Sequence, residues 1–173
     1  MNKIYTGIGS RNTSKEVLEL MKTIGKYLGY LGYELRSGGA DGADSAFESG
    51  CDEVNGKKSI YLPWYKFNNN NSNLYNVSEE ALKIAEKYHP YWHNLKQGTR
   101  KLMGRNSYQV LGLDLETPTD FILCYTKKGK GSGGTGQALR IAKDYNIPIF
   151  DFGKYDTIDE MKTKFCDFFD EFK

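Results

Sequence analysis

A chain of 173 residues with 39% hydrophobic and 27% charged side chains holds enough apolar material for one packed domain. Its 24 basic and 22 acidic side chains nearly balance, which argues against a nucleic-acid partner, since such binding needs a basic face. Three cysteines without metal or redox spacing point to a reducing cytoplasm, and no apolar run approaches the ~18 residues of a membrane span.

Lys3 to Ile8 predicts a first strand that begins at the N-terminus, with no room for a signal peptide. Val17, Leu20, Met21, Ile24, Leu28 and Leu31 recur at helical spacing and predict a helix over 13–31, with Thr13 or Ser14 as cap and Glu16 in the first turn. Tyr33 to Arg36 is a second strand, followed by a helix from about Gly42 to Glu53. Ser59 to Leu62 is a third, stopped by Pro63. Residues 64–77 show no periodicity and four asparagines in a row, Asn68 to Asn71, as in an irregular loop that is functional or mobile. Helices are predicted over 78–88, where Ala81, Ile84, Ala85 and Tyr88 share a face, and from Gly98 to Asp114. Asp120 to Tyr125 is a continuous apolar strand of the kind buried on both faces of a parallel sheet. A helix Gly134 to Tyr145, a strand Ile147 to Phe150 and a last helix over 157–172, rich in phenylalanine, complete the chain.

Strands alternating with helices predict an α/β, Rossmann-like doubly wound fold over 1–173. Its sheet is mainly parallel and five-stranded, with helices on both faces and right-handed crossovers. Ligands of such sheets bind beyond the carboxyl ends of the strands, where the strand order reverses. Three glycine-bearing turns follow strands and so meet at that edge. They are Gly7-Ile8-Gly9-Ser10-Arg11, Ser37-Gly38-Gly39-Ala40-Asp41-Gly42-Ala43-Asp44, and Gly131-Ser132-Gly133-Gly134-Thr135-Gly136-Gln137. Glycine lets a ligand approach the backbone, and the free N–H groups of a helix's first turn favour an anion. The second turn carries this signature most fully. Arg11 can fork onto a phosphate, and Lys127, Lys128 and Lys130 sit beside the third turn. The first turn lacks the third glycine of a dinucleotide fingerprint and the third lacks the lysine of a Walker loop, so no cofactor is indicated. His89 and His93 have no Cys or acid at ligand spacing, so no metal site is expected. Trp64 follows the third strand, at the ligand edge, where it can stack on a base.

Gly7–Arg11, Ser37–Asp44, the Arg105-Asn106 pair and Gly133-Gly134-Thr135, in this order and spacing, resemble the SLOG superfamily, the Rossmann-like group of DprA/Smf proteins and LOG phosphoribohydrolases. The nearest likeness is to small stand-alone members of phage or prophage type, which would place the protein in a host cytoplasm. The resemblance implies a nucleotide-type ligand held by Gly9, Ser10, Arg11, Ser37, Gly38, Gly39, Asp41, Asp44, Arg105, Asn106, Gly133, Gly134 and Thr135; beside these the residues themselves add Ser132 and Gln137 of the third turn and Trp64, which, like Tyr65 or Phe67, can stack on a base. LOG hydrolases resemble Pro-Gly-Gly-x-Gly-Thr-x-x-Glu, and here no carboxylate follows Gly133-Gly134-Thr135 at the matching place; the nearest polar side chain is Gln137. Glutamine cannot take a proton, which argues against an enzyme. Asp41, Asp44, Glu48 and Glu116 are the remaining carboxylates that could act as acid or base, although early-turn aspartates are more often dipole partners. The expected function is therefore binding of an ADP-ribose-type or cyclic nucleotide signal without turnover, as in a phage anti-defence sponge. The alternatives are LOG-like N-glycoside hydrolysis of nucleoside monophosphates and DprA-like single-stranded DNA binding. A homodimer or higher homo-oligomer is expected from the resemblance and from the aromatic face of the last helix.

Overall fold

In the computed structural model, which describes residues 2–173, five parallel strands form one sheet: β1 (Ile4–Gly9), β2 (Glu34–Ser37), β3 (Lys58–Ile60), β4 (Phe121–Tyr125) and β5 (Ile149–Asp151). Their order is β3-β2-β1-β4-β5, so the chain winds one way from β1 and then the other. Between them run α1 (Lys15–Tyr30), α2 (Ala43–Glu53), α3 (Glu79–Tyr88), α4 (Gln97–Leu111) and α5 (Gly133–Asp144), and α6 (Ile158–Asp170) closes the chain. This is a Rossmann-like α/β fold.

The pleat of β4 sorts the layers. Phe121 and Leu123 face a core built by α1, α2 and α6 with Met21, Phe47 and Phe165, while Ile122 and Cys124 face α4 and α5 with Val110, Ala138 and Ile141. Truncating one such side chain, for example Leu35→Ala, removes about 2–5 kcal/mol. The phenylalanines of α6 are part of this core. Phe165 and Phe169 are buried, and Phe168 and Phe172 pack on Phe121 at 5.8 and 4.6 Å between ring centroids. The aromatic face that suggested self-association is thus used within the chain.

Element ends differ from the periodicity where backbone chemistry intervenes. α4 stops at Leu111 because Gly112 turns left-handed (φ 82°), and Asp114, predicted helical, accepts hydrogen bonds from Glu116 N and Thr117 Oγ1 instead. β5 starts two residues late because Ile147 N donates to Ala142 at the end of α5 and Pro148 has no N–H to give. Ser14 stands at the N-cap of α1 without a capping hydrogen bond. Ser78 and Thr157 do cap α3 and α6, accepting from Ala81 N and Glu160 N. The loop over 64–77 is laid beside β3 through the Tyr61–Leu74 bridge, and it contains a short 3-10 turn, Phe67–Asn69, next to left-handed Lys66.

Candidate functional site

A cavity of about 360 Å³ opens at the carboxyl edge of β1 and β4, where the strand order turns. Ile8, Gly9, Ser10, Arg11 and Asn12 form one side. Leu102, Met103, Arg105, Asn106 and Gln109 come from α4, Ala40 and Asp44 from the second turn, and Thr126, Lys127 and Ser132 to Thr135 from the third.

The second glycine turn is closed by the protein itself. Asp44, in the first turn of α2, accepts hydrogen bonds from Gly9 N (3.2 Å) and Ala40 N (3.4 Å). It supplies the negative charge these amides would otherwise draw from a ligand. Burial pushes its carboxyl up to about 6, against the pull of Arg105 and of the backbone N–H groups of Ala40, Gly9 and Gly38. The Arg105 guanidinium, reaching over from α4, donates to the Gly38 and Tyr61 carbonyls, and its face lies 5.7 Å from the Phe67 ring. Burial lowers it to about 10, opposed by Asp44 and aided by Arg11. Ser37 Oγ donates to Gly7 O at 2.6 Å, and Asn68 Nδ2 donates to Gly39 O and Asp41 Oδ1, each at 3.0 Å. A Cβ at Gly38 would lie 2.1 Å from Arg105 Nη1 and 2.3 Å from Gln109 Nε2. Close approach of the protein's own side chains, rather than of a ligand, explains this glycine.

The third turn is open. Ser132 holds the N-cap position of α5 without a capping hydrogen bond, and the first turn contains no acidic residue. Ser132, Gly133 and Gly134 are exposed. The unpaired first-turn N–H groups and the positive end of the helix dipole therefore face the cavity beside Lys127. A staple below holds the turn in place. Asp151, at the end of β5, accepts from Thr126 N at 3.0 Å and from the Thr126 hydroxyl, and Thr126 Oγ1 accepts from Gly131 N at 2.9 Å. Asn106 Nδ2 donates to Gly134 O at 3.0 Å and ties α4 to this turn.

Ten of the residues expected to hold a ligand line one cavity: Gly9, Ser10, Arg11, Asp44, Arg105, Asn106, Ser132, Gly133, Gly134 and Thr135. Ser37, Gly38, Gly39 and Asp41 do not, because their polar groups are turned into the closed second turn. Gln137 is fully buried on the far side of α5, where its amide donates to Ala85 O (2.9 Å) and accepts from Arg140 (2.8 Å). Trp64 is 40% exposed and packs edge to face on Phe67, outside the cavity. Of the four carboxylates considered for acid–base work only Asp44 reaches the cavity. Glu48 binds Lys58 and Asn70, Asp41 is held by Asn68, and Glu116 lies in the turn after α4. Among the described residues no cluster of three or more His, Cys, Asp or Glu could hold a metal, and no helix is long and apolar enough to cross a membrane. Thr126, Asp151, Met103 and Gln109 belong to the site or support it without having been singled out. The polar run Arg105-Asn106-Ser107-Tyr108-Gln109 reads in the sequence as a solvated helix face, and only the structure shows it buried throughout.

No protein-family model matches the chain, and no curated protein matches it by sequence. Among solved structures it is similar to the molybdenum cofactor carrier protein of Chlamydomonas reinhardtii, with 15% identity and a TM-score of 0.54 over 95% of this chain and 82% of that one. It is also similar to DNA processing protein A of Helicobacter pylori, whose structure concerns a single-stranded DNA binding mode. There the identity is 19% and the TM-score 0.54, over 87% of this chain and 65% of that one. At these identities the likeness is one of fold, and it places the chain among Rossmann-like α/β proteins.

Proposed function

We propose that this cavity binds a nucleotide-derived small molecule and holds it without turnover. The uncapped first turn of α5, open to the cavity beside Lys127, carries the reading, because it offers backbone donors and a positive dipole end to a phosphoryl group. Arg11, on the opposite wall, adds a second cation that can engage a phosphate in two places. Hydrolysis of an N-glycosidic bond needs a free carboxylate near the sugar, and the one carboxylate in the cavity, Asp44, spends its oxygens on backbone N–H groups. Retention of an intact ligand is the behaviour of a protein that sequesters a signalling nucleotide, of ADP-ribose or cyclic type.

The test is to incubate the purified protein with AMP, ADP-ribose, cyclic ADP-ribose isomers, cyclic oligonucleotides and NAD, then heat it and weigh what is released by mass spectrometry. Unaltered ligand is the expected product. Free base with a ribose phosphate would establish a hydrolase and overturn the reading. The exposed Arg11, Lys127, Lys128 and Lys130 at this edge support a second reading, single-stranded DNA binding, in line with the fold shared with DNA processing protein A. A steep loss of DNA affinity with salt, and no small-molecule release, is its signature.

A further inference from the structure

We infer that Asp44 takes up a proton when an anion enters the cavity, so that the site binds its ligand more tightly as pH falls. The inference rests on the nucleotide reading of the cavity and adds to it how the site is regulated. Asp44 is the only carboxylate among the residues that line the cavity, and it is 4% exposed. The hydrogen bonds that hold its ionised form are long, 3.2 Å from Gly9 N and 3.4 Å from Ala40 N. Among the described residues no hydrogen bond joins it to Arg105, the buried cation beside it. That guanidinium donates instead to the carbonyls of Gly38 and Tyr61 through Nη1 and of Leu102 through Nε. A buried carboxylate held this loosely, on the wall of a cavity that receives anions, is poised to change its charge.

The groups around it come from several elements. Arg105 faces it from α4, while Arg11, after β1, and Lys127, after β4, stand on other walls of the cavity. The end of β1 and the second turn meet it with the N–H groups of Gly9, Gly38 and Ala40. Nearby on its own turn and helix, Asp41 is held by Asn68, and Glu48 by Lys58 and Asn70. α1 packs on α2 through Met21 and Gly25 against Phe47 and brings it no charge. A phosphoryl group that enters adds negative charge to this enclosure, where the low dielectric strengthens its repulsion of a second anion. Ionised, Asp44 opposes the ligand; protonated from solvent, it no longer does, and its hydroxyl becomes a donor. Burial has already brought its carboxyl up to about 6, so one further unit, equivalent to about tenfold in affinity, carries the change towards neutral pH. His89 and His93, the other side chains that ordinarily titrate there, stand on either side of Trp92 in the chain and do not line the cavity.

The test titrates ADP-ribose, whose phosphoryl charges are constant between about pH 6 and about pH 8, and sulfate as a bare anion into the protein by calorimetry at fixed ionic strength. We expect ADP-ribose to bind about tenfold more tightly at about pH 6 than at about pH 8. Heats measured near neutral pH in two buffers of different ionisation enthalpy should show proton uptake on binding. Asp44→Asn, which removes the charge and keeps the shape, should bind at the higher pH as tightly as the wild type does at the lower, with no proton taken up. The double variant His89→Gln, His93→Gln should keep the wild-type pH dependence. An affinity that does not change with pH overturns the inference and leaves the anion site standing, as does a pH dependence that survives in Asp44→Asn or disappears with the two histidines. If Asp44→Asn does not fold, the proton count decides: uptake in both the wild type and the histidine variant upholds the inference, and its absence from either overturns it. A wild type that binds neither ADP-ribose nor sulfate at either pH overturns both the inference and the nucleotide reading beneath it.

Discussion

Two glycine-rich turns end at the same sheet edge, and they have opposite fates. The turn after β2 is filled by the protein's own charges: Asp44 takes the amide donors, Arg105 takes the Gly38 carbonyl, and Asn68 takes the Gly39 carbonyl. The turn after β4 has its base stapled by Thr126 and Asp151, but the start of its helix carries neither cap nor acid. Glycine content alone does not distinguish them. What does is whether a side chain from elsewhere in the fold arrives to use the backbone groups.

This contrast can be broken from either side. Replacing Asp44 by Ala should have the largest effect, about 3–5 kcal/mol of stability, because it strands the buried Arg105 cation and two amides; urea unfolding would show it, and a loss under 1 kcal/mol would mean the turn is not held by charge. Gly38→Ala comes next, at about 2–3 kcal/mol, since the added methyl collides with Arg105 and Gln109. The Asp44 carboxyl then gives a pH signature. Its folded value of about 6 lies above the ordinary 3.8, so between those values the folded state keeps a proton that the unfolded chain has released. Stability from this group is greatest below about pH 4 and falls by about 2 kcal/mol as pH rises to 6, and that slope should be missing from Asp44→Asn when the two are melted side by side. Gly134→Ala should have the smallest effect on the fold, within about 0.5 kcal/mol, because its added methyl meets only Met103 Cε at 3.6 Å. The same methyl narrows the open turn, so nucleotide binding should weaken while the melting midpoint stays put.

The strand and helix pattern was legible because apolar runs and helical spacing are local properties. Leu123 and Cys124, for example, announce a doubly covered strand without reference to any other residue. The importance of the edge turns was legible for the same reason. Which turn stays open was not, because the decisive contact joins Gly38 to Arg105 across 67 positions. Gln137 shows the limit of carrying a motif over. It stands near the motif position of a catalytic residue, but on α5 it points towards Ala85 on α3 and away from the cavity. Gln109 shows the converse, a residue outside every motif whose place at the cavity wall became apparent only when α4 was laid against β1.

The separation of the two turns also bears on how such a protein changes over generations. The turn closed by Asp44 and Arg105 holds the architecture together, whereas the start of α5 faces whatever enters. Substitutions at Gly134 or Lys127 can therefore be sampled without disturbing the knot that keeps the chain folded. A lineage built on this plan can follow a changing chemical target, altering its preference one residue at a time.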